Sequence, residues 1–472
     1  MRNFTAIATS ACILTSATTN ALTLLKREDG QQPRVVEHAI QRKHVTNPIQ
    51  RHLNRMRRRD NTVSVTLDNE ATLYYMNASI GTPGQNFQLH IDTGSSDLWV
   101  NVPNSQLCER YSCGESGTYD PRDSSTYQYL NSEFNISYAD GSGSSGDYVL
   151  DKVAFGDVTL DSQQFGVGYQ SSSEESILGI GYTLNEVAVQ YANGGTYPNL
   201  PVNLMLNGYI STNAYSLWLN DLDASTGSIL FGGVNTDKYM GELQTLPIIK
   251  TFGYYAEFVI ALTAIGGNGT DGSIANNINL GALLDSGSSL TYLPNDITQT
   301  IYNQVGASYD AEQQVAIVDC DVANSDATLD FTFSSPTIRV PMNELVILAG
   351  YRGRQPICIF GIAPAGGSTP VLGDTFLRSA YVVYDLTGNT ISLAQTKFNS
   401  TTDSILEITN STGVPGATEV QNAVTSVAVA TGGARIQGFT TTLTAAAAEP
   451  TMAPSWNVAM LGAAGAGLMF AL

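Results

Sequence analysis

Ile91-Asp92-Thr93-Gly94-Ser95-Ser96 and Leu284-Asp285-Ser286-Gly287-Ser288-Ser289 say nearly the same thing twice. In each copy an apolar run delivers one aspartate into a tight turn of small hydroxyl residues and glycine. The two aspartates stand 193 residues apart, too far to be partners in one hairpin or helix. Two lobes, each donating one carboxylate to a shared site, account for that spacing. A single such tripeptide carries little weight. A matched pair, each following a strand-like run, carries much more.

The rest of the chain agrees with a two-lobed β protein. Its 472 residues leave room for two or more domains and a large core. Charged residues are only 14%, while Gly, Ser, Thr and Tyr are plentiful, a mixture that suits many strands and turns. Between residues 60 and 398 short alternating strands are broken by Gly, Asn and Asp turns. Phe134-Asn135-Ile136-Ser137-Tyr138 alternates at period two and then turns at Ala139-Asp140-Gly141-Ser142-Gly143. That is a hairpin with a glycine-rich tip, able to lie over a cleft. Tyr381-Val382-Val383-Tyr384 reads as a strand entering a turn at Asp385. Helices are few, expected near residues 200–207 and 294–305.

The formal net charge of −20 conceals an asymmetry. Residues 22–59 hold ten Lys/Arg and three acids, whereas residues 60–472 hold eleven Lys/Arg against thirty-nine Asp/Glu, a net of −28. An acidic body of this kind repels nucleic acid and anionic membrane surfaces and attracts cationic partners.

The ends read as processing signals. Residues 1–21 carry an early Arg2, an apolar stretch and small residues before Leu22, the pattern of a signal peptide. Residues 22–59 form a basic propeptide ending in Arg57-Arg58-Arg59, a convertase-type cleavage site just before Asp60, with Lys26-Arg27 as a secondary cut. Its cations can pair with body carboxylates at neutral pH and lose those partners when the carboxylates protonate. Residues 60–240 and 241–398 are the two lobes. Residues 399–451 turn Ser/Thr/Ala-rich without strand alternation, as a flexible stalk would. Within 452–472 the uncharged apolar tail from Val458 is fifteen residues long, short for a span of about 20. With the small residues around Ala446 and Ala447 it matches a glycolipid (GPI) anchor signal, removed on attachment. The expectation is a monomer secreted through the ER and held on the outer face of the cell membrane or wall by a lipid. Asn77, Asn135, Asn268, Asn399 and Asn410 each begin a glycosylation sequon.

Cys12 falls in the signal segment, leaving Cys108, Cys113, Cys320 and Cys358. Four cysteines allow three pairings; proximity and the two-lobe arrangement favour Cys108–Cys113 and Cys320–Cys358. No Cys/His cluster has zinc spacing, and neither a metal nor another cofactor is expected.

The region after Asp60 contains one histidine, His90, two residues before Asp92. A Ser–His–Asp or Cys–His mechanism would have to run entirely through it; His90 is read as structural. Two carboxylates held close are the remaining option. Like charges a few ångströms apart cannot both ionise easily, so a single proton is shared. The ionised aspartate can deprotonate a water while the protonated one polarises a carbonyl, so no acyl-enzyme forms. Gly94 and Gly287 let backbone approach the carboxylates, and Thr93 and Ser286 are placed to brace the pair across the lobes. A two-carboxylate glycosidase would need exposed aromatic sugar platforms and usually a raised-pKa Glu acid, neither of which can be identified.

Asp92-Thr93-Gly94-Ser95-Ser96-Asp97-Leu98-Trp99-Val100 resembles the first-lobe signature of pepsin-like aspartic proteases, and Asp285-Ser286-Gly287-Ser288-Ser289 resembles its second-lobe counterpart. The resemblance continues through Tyr138, Ile177-Leu178-Gly179-Ile180-Gly181, Gly227-Ser228-Ile229-Leu230-Phe231-Gly232-Gly233 and Val371-Leu372-Gly373-Asp374-Thr375-Phe376-Leu377-Arg378, covering about residues 72–398. It implies an all-β bilobal fold with a peptide cleft, and an acid endopeptidase with Asp92 and Asp285 as the catalytic pair. For pepsin's own pair the shared proton is established. Tyr138 would be the tyrosine of a flap that closes over substrate, with Trp99 as its hydrogen-bond partner. Ser95, and likewise Ser288, would support the pair, and Asp140 and Gly141 at the flap tip would face substrate. The tribasic leader and anchor-like tail resemble fungal yapsin- and candidapepsin-like enzymes, which adds cleavage after basic residues as an expectation. Cys108 and Cys113 enclose only four residues, whereas yapsins often carry a long insertion there. The alternative on the same scaffold is a catalytically silent peptide-binding or cell-wall protein; both aspartates and both hydroxyl-glycine turns being intact argues against it.

Overall fold

The strand Gln85–Asp92 carries Leu89 and Ile91 on one face and His90 and Asp92 on the other, and all four side chains are buried. A strand this buried needs partners for its backbone groups on both edges. One edge pairs antiparallel with Thr72–Ile80, and the other runs parallel to Ser176–Gly179, with Asp92 opposite Gly179. The chain then turns, and Leu98–Asn101 pairs with the far edge of Ser176–Gly179. Asp92 therefore ends its strand beside Gly179, and the turn that follows carries the chain across the end of Ser176–Gly179.

The second half repeats this construction. Leu280–Leu284 runs parallel to Val371–Leu372, and Thr291–Leu293 returns on the other side. The glycine after each Leu is required by space. A Cβ on Gly179 would lie 2.6 Å from the Asp97 nitrogen, and one on Gly373 would lie 2.3 Å from the Ser288 oxygen. Both aspartate turns thus pack directly on a bare backbone.

The computed structural model describes residues 33–44, 72–111, 113, 116–139, 141–190, 194–251, 253–410 and 413–427. The signal segment, the tribasic site, Asp140 and everything from 428 on, including the anchor signal, lie outside these residues. Among the described residues strands dominate, and the longest helix is Asn295–Val305. The other helix expected from sequence spans Leu200–Leu206, capped by Asn199.

One sheet of fourteen strands passes through both halves. Ala380–Asp385 and Thr390–Thr396 join it beside Ala214–Trp218, so the halves share backbone hydrogen bonds. Tyr239–Pro247 pairs with Thr390–Thr396, so the lobe boundary expected at 240/241 falls inside a strand. An aromatic stack fills the space below: Tyr215 lies 5.0 Å from Tyr384, and Phe258 lies 4.7 Å from Tyr384, between ring centroids. Nearby, Arg378 and Glu344 form an ion pair with neither side chain exposed. Both disulfides form as the spacing suggested, Cys108–Cys113 and Cys320–Cys358.

Two segments depart from expectation. Residues 399–427, read as the start of a free stalk, are built onto the body. Ile405–Glu407 pairs with Gly233–Asn235, and Ala417–Glu419 runs parallel to Leu243–Thr245 at the sheet edge. Val427 fills the space that Gly281 leaves open, where a Cβ would come within 2.8 Å of it. Any stalk therefore begins later than 398. The second departure is Val36–His44, inside the segment read as propeptide: it sits in the central sheet between Thr226–Phe231 and Thr72–Ile80, with Ile40 fully buried.

Candidate active site

The two aspartate turns meet with near two-fold symmetry. Gly94 N–H donates to Asp92 Oδ1 at 2.8 Å, and Gly287 N–H donates to Asp285 Oδ1 at 2.9 Å. Ser95 Oγ donates to Asp92 Oδ2, and Ser288 Oγ to Asp285 Oδ2 at 2.8 Å. Each carboxylate thus accepts one backbone and one hydroxyl hydrogen bond, a pattern that favours the ionised form.

Thr93 and Ser286 lock the two turns together. Thr93 N–H donates to Ser286 Oγ (3.1 Å), and Ser286 N–H donates to Thr93 Oγ1 (2.9 Å). The hydroxyls then donate onward, Thr93 to the Leu284 carbonyl (2.9 Å) and Ser286 to the Ile91 carbonyl (3.0 Å). Each hydroxyl is used once as donor and once as acceptor, and all four bonds cross between halves. Serine at 286 suffices because only the hydroxyl is used.

The glycines report how close the carboxylates come. A Cβ on Gly94 would lie 2.4 Å from Asp285 Oδ1. One on Gly287 would lie 2.4 Å from Asp92 Oδ1 and 3.0 Å from Asp285 Oδ1. A single methyl-sized position therefore touches both carboxylates. Both are almost wholly buried, Asp92 at 2% and Asp285 at 7% exposure.

The hairpin expected over the cleft is formed by Gln128–Ser137 and Gly143–Phe155. Its tip closes with Tyr138 N–H to the Ser142 carbonyl and Gly141 N–H to the Tyr138 carbonyl, both 2.8 Å; Gly141 takes a left-handed φ of 75°. Trp99, fully buried, donates its indole N–H to the half-buried Tyr138 hydroxyl at 2.6 Å. Asp140 is outside the described residues.

Behind this hairpin lies a cluster of buried acids and tyrosines. Asp97 is fully buried and accepts from the Tyr148 hydroxyl (2.7 Å), the Tyr197 hydroxyl (2.9 Å) and Val187 N–H (2.9 Å). Glu186, 1% exposed, accepts from Tyr197 N–H at 2.8 Å; its Oε1 has no hydrogen-bond partner among the described residues. Burial, reinforced by the nearby Asp97, pushes the Glu186 carboxyl up to about 9. Burial likewise pushes the Tyr197 hydroxyl well above its usual range. Asp97 was legible as part of the first signature; Glu186 carried no local signal.

The five sequon asparagines are all exposed. Among the described residues no group of three or more His, Cys, Asp or Glu could hold a metal ion, and no helix is long and apolar enough to cross a membrane.

Residues 73–396 match the family described as eukaryotic aspartyl protease. The chain is 52% identical to the probable aspartic-type endopeptidase opsB of Aspergillus oryzae, over 98% of each chain. It is 39% identical to secreted aspartic protease 1 of Candida albicans, over 72% of this chain and 85% of that one. Among solved structures it superposes on the aspartic proteinase from Irpex lacteus with a TM-score of 0.59 and 24% identity, covering 72% of this chain and 99% of that one. That last likeness is one of fold.

Proposed function

Because the chain belongs to the eukaryotic aspartyl protease family, we propose that Asp92 and Asp285 are the catalytic pair of this aspartic-type endopeptidase. The observation that carries the proposal is the methyl-sized position at Gly287 that touches both carboxylates. A water between them loses its proton to the ionised aspartate as its oxygen attacks the scissile carbonyl carbon. The protonated aspartate gives its proton to the carbonyl oxygen. Collapse of the tetrahedral adduct breaks the C–N bond, and the amine leaves with a proton returned from the pair. Tyr138 and Gly141 cover the substrate from the hairpin side, and the Trp99 indole holds Tyr138 in place. The substrates are peptides and proteins.

The finer parts of the reading concern life history. The protein is made as a zymogen; in support, Val36–His44 of the basic leader is a strand of the core sheet, with Glu37 near Lys238 and Asp403 of the body. After a cut following Arg59 that strand is held without a covalent link, by its backbone pairing with Thr226–Phe231 and Thr72–Ile80 and by the buried Ile40. Secretion is supported by the signal-like residues 1–21 and by the likeness to secreted aspartic protease 1 of Candida albicans. A preference for basic side chains is supported by the net charge of −28 on residues 60–472. Tethering rests on the uncharged tail 458–472.

Two results test this. The processed protein is expected to cleave a denatured protein several-fold faster at about pH 4 than at about pH 7, because one aspartate must stay protonated. Pepstatin should stop that cleavage; pepstatin-resistant turnover would overturn the aspartic pair. Deleting residues 458–472 is expected to move the enzyme from washed cells into the medium, followed by immunoblot of both fractions. Retention on the cells would remove the lipid anchor.

A further inference from the structure

We propose that His90 is a positioning residue for the second aspartate, holding the Ser286–Gly287 peptide unit so that its N–H is presented to Asp285. His90 Nε2 lies 3.3 Å from the Ser286 carbonyl oxygen. A carbonyl only accepts, so Nε2 carries the hydrogen in this contact. The amide on the other side of that carbonyl is Gly287 N–H, which donates to Asp285 Oδ1 at 2.9 Å. The imidazole, the peptide unit and the carboxylate therefore form one directed chain of hydrogen bonds across the halves. Chains of this kind polarise one another, so a donor at one end strengthens the bond at the other.

The sequence places His90 for this. Residues two apart on a strand share a face, so His90 and Asp92 both point from Gln85–Asp92 toward the second turn. Its neighbour Ile91 accepts from the Ser286 hydroxyl through its carbonyl, so two successive residues hold Ser286. The ring is 5% exposed and lies 5.7 Å from the Tyr75 ring, its cross-strand partner. Ile177 flanks it from the parallel strand. Tyr75 is the titratable group facing it from the neighbouring strand; Asp92 stands two residues along its own strand, and Asp285 lies beyond the Ser286–Gly287 amide.

The second half has no counterpart. The residue two before Asp285 is Leu283, which cannot donate. His90 thus breaks the near two-fold symmetry of the site. It stabilises negative charge on Asp285, which leaves the shared proton on Asp92. His90 is also the single histidine after residue 60, so no other imidazole can stand in for it.

The inference rests on the dyad reading, and the variants separate the two. His90→Phe keeps a ring without a donor; His90→Gln keeps a donor of similar reach. His90→Phe is expected to lower kcat about tenfold, the upper range for one hydrogen bond, with KM within about twofold. The acid limb of its pH–rate profile should move up by roughly half a unit, because a lost donor makes the carboxylate harder to ionise. His90→Gln is expected to recover most of both effects. Should His90→Phe fail to fold, His90→Met against His90→Gln gives the same contrast at equal side-chain length. Wild-type kcat and an unmoved acid limb in the donor-less variant overturn the proposal, as do equal losses in the Gln and donor-less variants. Asp285→Asn is run alongside: an inactive Asp285→Asn with an unaffected His90→Phe fails only this inference, whereas an active Asp285→Asn fails the dyad itself.

Discussion

Asp92→Asn and Asp285→Asn are each expected to slow peptide hydrolysis about 10⁴-fold, the upper end of what positioned proton transfer supplies. Asparagine matches aspartate in shape, so Gly94 and Gly287 N–H keep an amide oxygen to donate to, and the Ser95 and Ser288 hydroxyls can turn to accept from the new amide. The four bonds between Thr93, Ser286 and the strands before them do not involve the carboxylates at all. Folding and secretion should therefore survive, and melting temperatures should stay near wild type. What is lost is the ability to take or give a proton. Turnover measured at about pH 4 with pepstatin controls decides the matter. A variant that retains more than roughly a hundredth of wild-type kcat would sink the assignment of that residue.

The aspartate turns were legible because everything that makes them is local: an apolar strand, a hydroxyl residue, a glycine, then serines. The hairpin with Tyr138 was legible for the same reason, through period-two alternation and a glycine-rich tip. Residues 399–427 were not. Apart from the pairs Ile405-Leu406 and Ala423-Val424 their apolar side chains come singly among Ser, Thr and Gly, and the strands Ile405–Glu407 and Ala417–Glu419 exist because the body offers pairing edges at Gly233–Asn235 and Leu243–Thr245. Pairing with an edge satisfies backbone groups whatever the side chains, so composition could not announce it. Val36–His44 was hidden differently: the basic count of the leader drew attention from Ile40, the buried residue that seats the strand. From sequence alone His90 reads as structural, because its partner is a backbone carbonyl 196 residues away. No local pattern encodes a contact at that separation.

Glu186 is the other residue whose meaning comes wholly from tertiary burial, and it sets an expected pH dependence of stability. Its carboxyl is raised from 4.5 to about 9, first by burial and then by Asp97, against the lowering effect of the Tyr197 N–H. The folded pKa lies above the unfolded one, so the unfolded state releases a proton that the folded state keeps. Below pH 4.5 neither state ionises and there is no cost. As pH rises from 4.5 toward 9, the unfolded state gains about 1.4 kcal/mol per unit. By about pH 7 the loss is of the order of 3 kcal/mol. Burial shifts Asp385 and Glu37 in the same direction, while the lowered carboxyls, the half-buried Asp120 paired with the exposed Arg122 and the exposed Asp403, weigh little against them. The raised carboxyls thus add stability as pH falls from about 7 toward 4.5, the range in which the proposed dyad works, against an opposing contribution from His38, whose imidazole is lowered below its usual range by burial. Glu186→Gln keeps an oxygen for Tyr197 N–H and removes the titration, so its melting temperature should exceed wild type by roughly 3–5 °C at about pH 7 and match it at about pH 4. Calorimetry at both pH values tests this. Parallel melting curves for the two proteins across that range would mean that Glu186 is ionised in the folded state, with its charge carried by a partner other than Tyr197.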